Sequence, residues 1–259
     1  METPAPAAKP RPRGIYLLPN LFTSGALFAG FYAIIAASQG RFTDACIAVF
    51  VAAVLDGLDG RIARLTGTQS DFGVQYDSLS DLISFGMAPA LVMYHWALSE
   101  LQFDGPIAGK IGWSAAFLYA ACAALRLARF NTQVGVVDKR WFIGLASPAA
   151  AAVMMSFIWT LDNRMNMSGG QVRWIALGIT VVTGLLMVSR VRYFSFKSLP
   201  FAGRVPFMTV LLALGLLVLL AIDTARVLFA ASTIYLLSGP LGWVWGRLRR
   251  NRQPPVTPG

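Results

Sequence analysis

Long apolar stretches follow one another along most of this 259-residue chain, with short polar segments between them. Each is close to the length that a helix needs to cross the hydrocarbon core of a bilayer, about 20 residues. Hydrophobic residues make up 56% of the chain and charged residues only 13%, which is unlike a soluble domain. The sequence therefore predicts an all-α, polytopic transmembrane helical bundle. We expect about eight helices, at residues 21–38, 43–60, 79–98, 111–131, 142–161, 173–190, 206–222 and 225–245.

The last two predicted spans are separated by a very short junction, at residues 221–225, so they form either a hairpin or one distorted element. Both ends of the chain have a different composition, rich in proline and basic residues. We expect residues 1–14 and 247–259 to be disordered tails. A single transmembrane domain then covers residues 15–246.

The net charge of +10 is distributed as membrane topology requires, rather than as a nucleic-acid surface. With eight helices and both termini in the cytoplasm, the cytoplasmic side holds all but five of the 22 lysines and arginines. The five exceptions are Arg41, Lys110, Arg164, Arg173 and Arg226. We therefore expect membrane lipids, and no nucleic acid, as partners.

Four aspartates interrupt the apolar pattern within the segment DGLDGRIARLTGTQSDFGVQYDSLSD. They are Asp56, Asp59, Asp77 and Asp81. The first two are three residues apart and the last two are four apart, so each pair shares one helix face. Gly67 and Gly73 mark a turn between the pairs, which allows the two acidic faces to converge. Because a bare acid in lipid costs about 3 kcal/mol, all four are expected to face a hydrated cavity and divalent cations.

The chemistry of these residues favours phosphate as the ligand. Carboxylates with no cysteine beside them, and with the single histidine remote at His95, indicate hard cations such as Mg²⁺ or Mn²⁺. Gly60 leaves room for a diphosphate, and Arg64, one helical turn later, offers it a guanidinium group. This arrangement suits in-line displacement at phosphorus. The alternative, a cation-coupled membrane transporter, explains the acids but not the glycines and Arg64 at their offsets.

Eight residues of this segment match the signature D-x2-D-G-x2-A-R-x8-G-x3-D-x3-D of the CDP-alcohol phosphatidyltransferases, namely Asp56, Asp59, Gly60, Ala63, Arg64, Gly73, Asp77 and Asp81. The chain thus resembles a family whose members transfer a phosphatidyl group from CDP-diacylglycerol to an alcohol and release CMP. That family shares a core of six transmembrane helices with a two-metal site, and eight spans would be that core plus two. The resemblance implies that the four aspartates bind the divalent cations, Mg²⁺ or Mn²⁺. It also implies that Asp81 is the catalytic base and that residues 15–246 form the catalytic domain.

The resemblance further implies that six residues bind CDP-diacylglycerol, namely Asn20, Thr23, Asp56, Gly60, Arg64 and Ser70. Gly60 and Arg64 would contact the diphosphate, and Ser70 the nucleotide. Asn20 and Thr23 match an N-x-x-T segment that helps to hold the CDP head group. Their alternative role is simply to begin a helix after Pro19.

The signature does not select the acceptor alcohol. The segments DSLSDLISFGMAPA, LRLARFN and GLASPAAA resemble those of bacterial, membrane-integral members that use L-serine. Arg126 and Arg129 are expected to bind the serine carboxylate, although both are also placed to reach lipid head groups. Glycerol 3-phosphate or inositol phosphate would need more cations, and Lys197 and Arg204 keep that alternative open.

The resemblance also implies a location and an assembly. We expect a multi-pass protein of the bacterial inner (cytoplasmic) membrane, with its active site facing the cytoplasm. Family members are often homodimers. Gly30, Ala33 and Ala37 share one helix face, which suits helix contacts either between two chains or within one.

Overall fold

The computed structural model describes residues 17–67, 70–132, 141–194 and 207–250. Over these residues the chain is almost entirely helical. Its α-helices are α1 (Leu17–Ser38), α2 (Phe42–Thr66), α3 (Asp71–Asp81), α4 (Ala88–Trp96), α5 (Pro106–Thr132), α6 (Ser147–Trp159), α7 (Arg173–Val188) and α8 (Phe207–Arg250). Two strands, β1 (Trp141–Ile143) and β2 (Arg192–Phe194), pair antiparallel between the helices. The predicted N-terminal tail and residues 251–259 of the C-terminal one lie outside the described residues.

Several helices are extended by short segments of other helical types. A π-helical segment, Leu82–Met87, joins α3 to α4, and a second, Thr160–Arg164, follows α6. Short 3₁₀ helices at Leu98–Asp104 and Gly169–Val172 precede α5 and α7. Consequently α3 and α4 belong to one long helical stretch.

Five helical stretches of the described chain are long and apolar enough to cross a membrane: Pro19–Ser38, Asp71–Asp104, Pro106–Thr132, Gly169–Val188 and Phe207–Trp243. The all-α polytopic bundle is therefore confirmed, but these five candidates in the described chain are fewer than the eight spans predicted. The second half of α2 has too many charged residues to be a candidate, and the π segment that extends α6 contains Asp162 and Arg164. The last two predicted spans fall within α8, whose only non-helical residue is Asp223 (φ −149°, ψ 81°), at a kink.

The connection between α2 and α3 follows from their capping residues. Gly67 has the left-handed conformation (φ 61°), and its N–H donates to the carbonyl of Ala63, which ends α2. Ser70 begins α3, because its Oγ accepts a hydrogen bond from the N–H of Gly73 (3.1 Å). Gly67 thus lies in the predicted turn. Gly73 does not, since it belongs to the first turn of α3.

Helix α1 packs along α2 and also contacts α3, α4 and the π segment Leu82–Met87. Its small-residue face is buried within the chain, with Ala33 and Ala37 at 0% and 2% exposure. A Cβ atom on Gly30 would lie only 2.8 Å from the Cα of Ser84. This face therefore serves contacts within one chain.

Polar side chains from neighbouring helices hold the π segment Leu82–Met87 in place. The hydroxyl of Ser84 donates to the carbonyl of Ala26 on α1 (3.0 Å), and the hydroxyl of Tyr119 on α5 donates to the carbonyl of Phe85 (3.1 Å). Widened π turns of this kind often lie beside functional sites. Here the segment begins directly after Asp81.

Gly30→Ala is expected to lower the free energy of unfolding by about 1–3 kcal/mol, since the added methyl group would collide with the backbone of Ser84. Gly178→Ala, on α7, is the matched control because its methyl group would meet no atom within 4 Å. Thermal unfolding in detergent should give a lower Tm for the first variant and an unchanged or higher Tm for the second. An equal Tm for both would contradict this packing.

Candidate active site

Thr23 on α1 connects the two helices that carry the aspartates. Its Oγ1 lies 2.6 Å from Oδ2 of Asp59 on α2, and its backbone carbonyl accepts a hydrogen bond from the hydroxyl of Ser80 on α3 (3.2 Å). Thr23, Asp59 and Ser80 are all buried, with 4%, 5% and 2% exposure. One buried threonine therefore fixes the position of α2 and α3 with respect to α1.

The four predicted aspartates come together at this junction. Asp56, Asp59 and Asp77 each present one carboxylate oxygen, and these oxygens all lie within 4.8 Å of one another. The carboxyl group of Asp81 lies close to that of Asp56. Two acidic faces, one on α2 and one on α3, thus converge as their spacing predicts.

This cluster is suited to bind divalent cations. Oδ1 of Asp77 and Oδ1 of Asp81 are buried and have no hydrogen-bond partner among the described residues. Buried carboxylate oxygens without donors are costly, and several of them at one place repel each other. A hard divalent cation removes both costs, because it prefers carboxylate oxygens as ligands.

Gly60 and Arg64 lie on the exposed side of α2, beside the acids. A Cβ atom on Gly60 would meet no atom within 4 Å, so the space next to its backbone is open. The Nε of Arg64 donates to the carbonyl of Gly60 (2.8 Å), which folds the guanidinium group back along the helix. The open space beside Gly60 and the positive charge of Arg64 therefore lie next to each other, which suits an anionic ligand.

The beginnings of α1 and α3 meet at a second polar group. Gly73 lies close to Asn20, since a Cβ atom on Gly73 would be 3.6 Å from Oδ1 of Asn20 and 3.2 Å from Oγ of Ser70. The hydroxyl groups of Ser24 and Tyr76 lie 2.8 Å apart. Asn20 and Ser70, predicted to bind the nucleotide, are thus neighbours. Thr23, also predicted to bind it, contacts Asp59.

Arg126 approaches the acids from α5. Its guanidinium group is in electrostatic range of the carboxyl group of Asp81 and of the hydroxyl groups of Tyr119 and Tyr235. One terminal nitrogen donates to Oγ of Ser147, at the start of α6 (3.0 Å), while the buried Nε finds no hydrogen-bond partner among the described residues. A partly paired, partly buried cation therefore lies within electrostatic range of the predicted base.

Arg129, predicted together with Arg126, has no side-chain hydrogen bond or ion pair with any described residue. Lys197 and Arg204, the cations named for a phosphorylated acceptor, lie outside the described residues. Of the basic residues proposed for the acceptor, the structure thus brings Arg126 to Asp81.

Several residues of the site were not found from the sequence. Ser80 and Ser147 are ordinary serines within apolar helices, and only the contacts across the fold single them out. Tyr119 and Tyr235 are separated by more than a hundred residues, and no spacing pattern connects them. The second role of Thr23, as the donor to Asp59, has no sequence signal either.

The fold and the site together define a polytopic membrane enzyme, whose carboxylate cluster suits divalent cations and whose open side suits a phosphorylated ligand. The chain belongs to the CDP-alcohol phosphatidyltransferase family, whose sequence profile matches residues 16–186. That match contains all four aspartates, Gly60, Arg64 and Arg126.

Relatives with similar sequences come from bacteria and archaea. The CDP-diacylglycerol–serine O-phosphatidyltransferase of Helicobacter pylori is 38% identical over 231 residues, which cover 89% of this chain and 92% of that protein. The protein of the same name from Mycobacterium leprae is 34% identical over 194 residues, covering 71% of this chain and 61% of the relative. The archaetidylserine synthase of Methanothermobacter thermautotrophicus is 34% identical over 178 residues, 68% of this chain and 69% of the relative.

Asp56→Asn is expected to weaken Mn²⁺ binding at least tenfold, because Asp56 is the acid that lies close to both Asp77 and Asp81. Asp44→Asn is the matched control on α2, since Asp44 is exposed and pairs with Arg41 near the other end of the helix. Isothermal titration with Mn²⁺ measures both affinities. Unchanged Mn²⁺ affinity in the Asp56 variant would rule out this residue as a ligand.

Proposed function

We propose that this protein transfers the phosphatidyl group of CDP-diacylglycerol to L-serine, giving phosphatidylserine and CMP. The observation that carries the choice of serine is Arg126, a partly buried cation within electrostatic range of Asp81 that is only partly paired. The names of the relatives support the same acceptor. The residues described above divide into a donor side, on α1 to α3, and an acceptor side, where α5 and α6 approach Asp81.

On the donor side, we infer that the aspartates hold two divalent cations, Mg²⁺ or Mn²⁺. When bound, these cations would neutralise the diphosphate and make CMP a better leaving group. The open space beside Gly60 accommodates the diphosphate, and the guanidinium group of Arg64 is close enough to turn toward it. Asn20 and Ser70 lie next to each other at the start of α3, where they would contact the nucleotide.

On the acceptor side, Asp81 is the base. The hydroxyl oxygen of serine forms a bond to the phosphorus that carries diacylglycerol, while the bond from that phosphorus to the oxygen of CMP breaks. The hydroxyl proton passes to the carboxylate of Asp81, and CMP leaves with the bonding electrons. Since no cysteine or histidine accompanies the acids among the described residues, a direct transfer needs no covalent phosphatidyl-enzyme.

The charge of the acceptor site favours serine over a phosphorylated alcohol. The serine carboxylate carries one negative charge, which one arginine balances, and the guanidinium group of Arg126 has an unpaired N–H for it. A phosphate dianion would need further cations around it. We therefore infer that Arg126 binds the serine carboxylate.

We also propose that the site faces the cytoplasm, in a bacterial inner membrane. At the far end of the bundle, arginines pair with acids: Arg41 with Asp44, Arg173 with Asp104, and both Arg164 and Arg226 with Asp223. At the site end, no arginine of the described chain forms an ion pair within 4 Å. In the topology predicted from the sequence, this is also the side that holds 17 of the 22 lysines and arginines, as the positive-inside rule requires.

Purified protein with CDP-diacylglycerol and Mn²⁺ is expected to release CMP when L-serine is added, and far less with glycerol 3-phosphate, inositol phosphate or no acceptor. The reason is that one arginine balances one carboxylate but not a dianion. Release of CMP with another acceptor would support the same type of reaction but would refute serine as the acceptor. No release with any acceptor would favour the transporter alternative.

Asp81→Asn is expected to reduce kcat by at least a thousandfold, because the amide accepts no proton from the serine hydroxyl. Binding of CDP-diacylglycerol should be partly retained, since Gly60, Arg64 and the other three acids remain. Asp71→Asn is the matched control at the exposed start of the same helix, and should keep nearly full activity. Full turnover by the Asp81 variant in the CMP assay would refute the assignment of the base.

A further inference from the structure

Two hydrogen bonds join α5 to the helical stretch that carries Asp81. Nearer the start of α5, the hydroxyl of Tyr119 donates to the carbonyl of Phe85 (3.1 Å). Near the end of α5, the side-chain nitrogen of Asn131 donates to Oγ of Ser78 (3.0 Å). Asp81 lies between the two acceptors along the chain and, three residues after Ser78, shares its helix face. The part of α5 between the two donors therefore lies opposite Asp81.

Arg126 belongs to that part of α5, and α6 fixes its guanidinium group. Its Nη1 donates to Oγ of Ser147 (3.0 Å), whereas its Nε is buried and has no hydrogen-bond partner among the described residues. Nη1 is the terminal nitrogen on the Cδ side of the group, so Ser147 does not engage the other edge, formed by Nε and Nη2. The two parallel N–H bonds of that edge match the two oxygens of a carboxylate.

The segment before α6 holds Ser147 firmly in place. The N–H of Gly144 donates to the carbonyl of Val191 (2.8 Å), and the N–H of Leu145 donates to the carbonyl of Leu186 (3.0 Å). Gly144 has a φ of 82°, and a Cβ atom on it would collide with the backbone at the end of α7, so this close approach requires glycine. The end of α7 thus anchors the residues that lead into α6.

The hydroxyl of Ser147 is used for Arg126 rather than for the helix that it begins. A serine at the start of a helix commonly caps it, by accepting a hydrogen bond from a backbone N–H of the first turn. The capping position of α6 is instead Ala146, which gives no side-chain cap. Ser147 follows it, is only 1% exposed, and accepts from the guanidinium group.

We propose that Ser147 is a positioning residue for the acceptor, which orients Arg126 so that its Nε–Nη2 edge faces the serine carboxylate. This inference rests on the proposed transfer to serine and concerns how the carboxylate is recognised. Ser147 acts through Arg126 and does not itself touch the acceptor. Without its hydroxyl, the guanidinium group would occupy several orientations, and binding of the carboxylate would have to select one of them.

The test is steady-state kinetics of CMP release by the full chain with Mn²⁺, varying L-serine and CDP-diacylglycerol separately. Ser147→Ala removes only the hydroxyl oxygen and its proton. It is expected to raise the KM for serine about fivefold, the usual effect of losing one hydrogen bond, and to leave the KM for CDP-diacylglycerol within about twofold.

A double variant separates the orientation of Arg126 from a general packing role. Arg126→Met should raise the KM for serine more than Ser147→Ala, because it removes the charge. When Ser147→Ala is added to Arg126→Met, the KM for serine should change by about twofold or less, since no guanidinium group is left to orient.

Ser156→Ala is the matched control on the same helix. It also removes a buried hydroxyl group from α6, but one that lies 3.1 Å from the hydroxyl of Ser232 on α8. It should change neither KM.

An unchanged KM for serine in Ser147→Ala would overturn this inference while leaving the proposed function intact. An equal rise in both KM values, or a full effect of Ser147→Ala in the Arg126→Met background, would also overturn it, because either would show that the hydroxyl serves general packing. If the unaltered protein releases no CMP with serine, the proposed function fails, and the role of Ser147 fails with it.

Discussion

The mutual repulsion of four converging carboxyl groups is the constraint on which this structure depends. Folding brings the acids of α2 and α3 together in a partly buried junction, and two of their oxygens lack donors among the described residues. The hydrogen bonds of Thr23 to Asp59 and from Ser80 hold the helices at that distance. The favourable free energy of helix packing thus offsets the repulsion between these like charges. The same repulsion provides the affinity for divalent cations, since they relieve it.

Much of the site follows from sequence spacing, because i to i+3 and i to i+4 pairs must share a helix face and Gly67 ends α2. The number of helices that are long and apolar enough to cross a membrane did not follow, since eight were predicted and five are found in the described chain. The length of an apolar stretch takes no account of the polar residues in the second half of α2. It also does not locate the kink at Asp223, because that kink depends on contacts within the fold. The link between Thr23 and Asp59 was equally inaccessible, since it joins residues 36 positions apart on different helices.

The site combines a cluster of acids on α2 and α3 with an acceptor side formed by α5 and α6. The acids and Arg64 lie within the part of the chain that matches the family profile, and their arrangement suits any CDP-alcohol reaction. On the acceptor side, in our proposal, Arg126 binds the serine carboxylate, and Ser147 at the start of α6 holds the guanidinium group of Arg126 by a hydrogen bond.

Anomalous diffraction from crystals grown with Mn²⁺ is the most direct test of metal binding by these acids, because it locates the metal without reference to activity. We expect strong anomalous peaks between the carboxylates of Asp56, Asp59, Asp77 and Asp81, and their loss in the Asp56→Asn variant. Peaks elsewhere in the bundle, or a cluster of acids that stays empty at millimolar Mn²⁺, would contradict it.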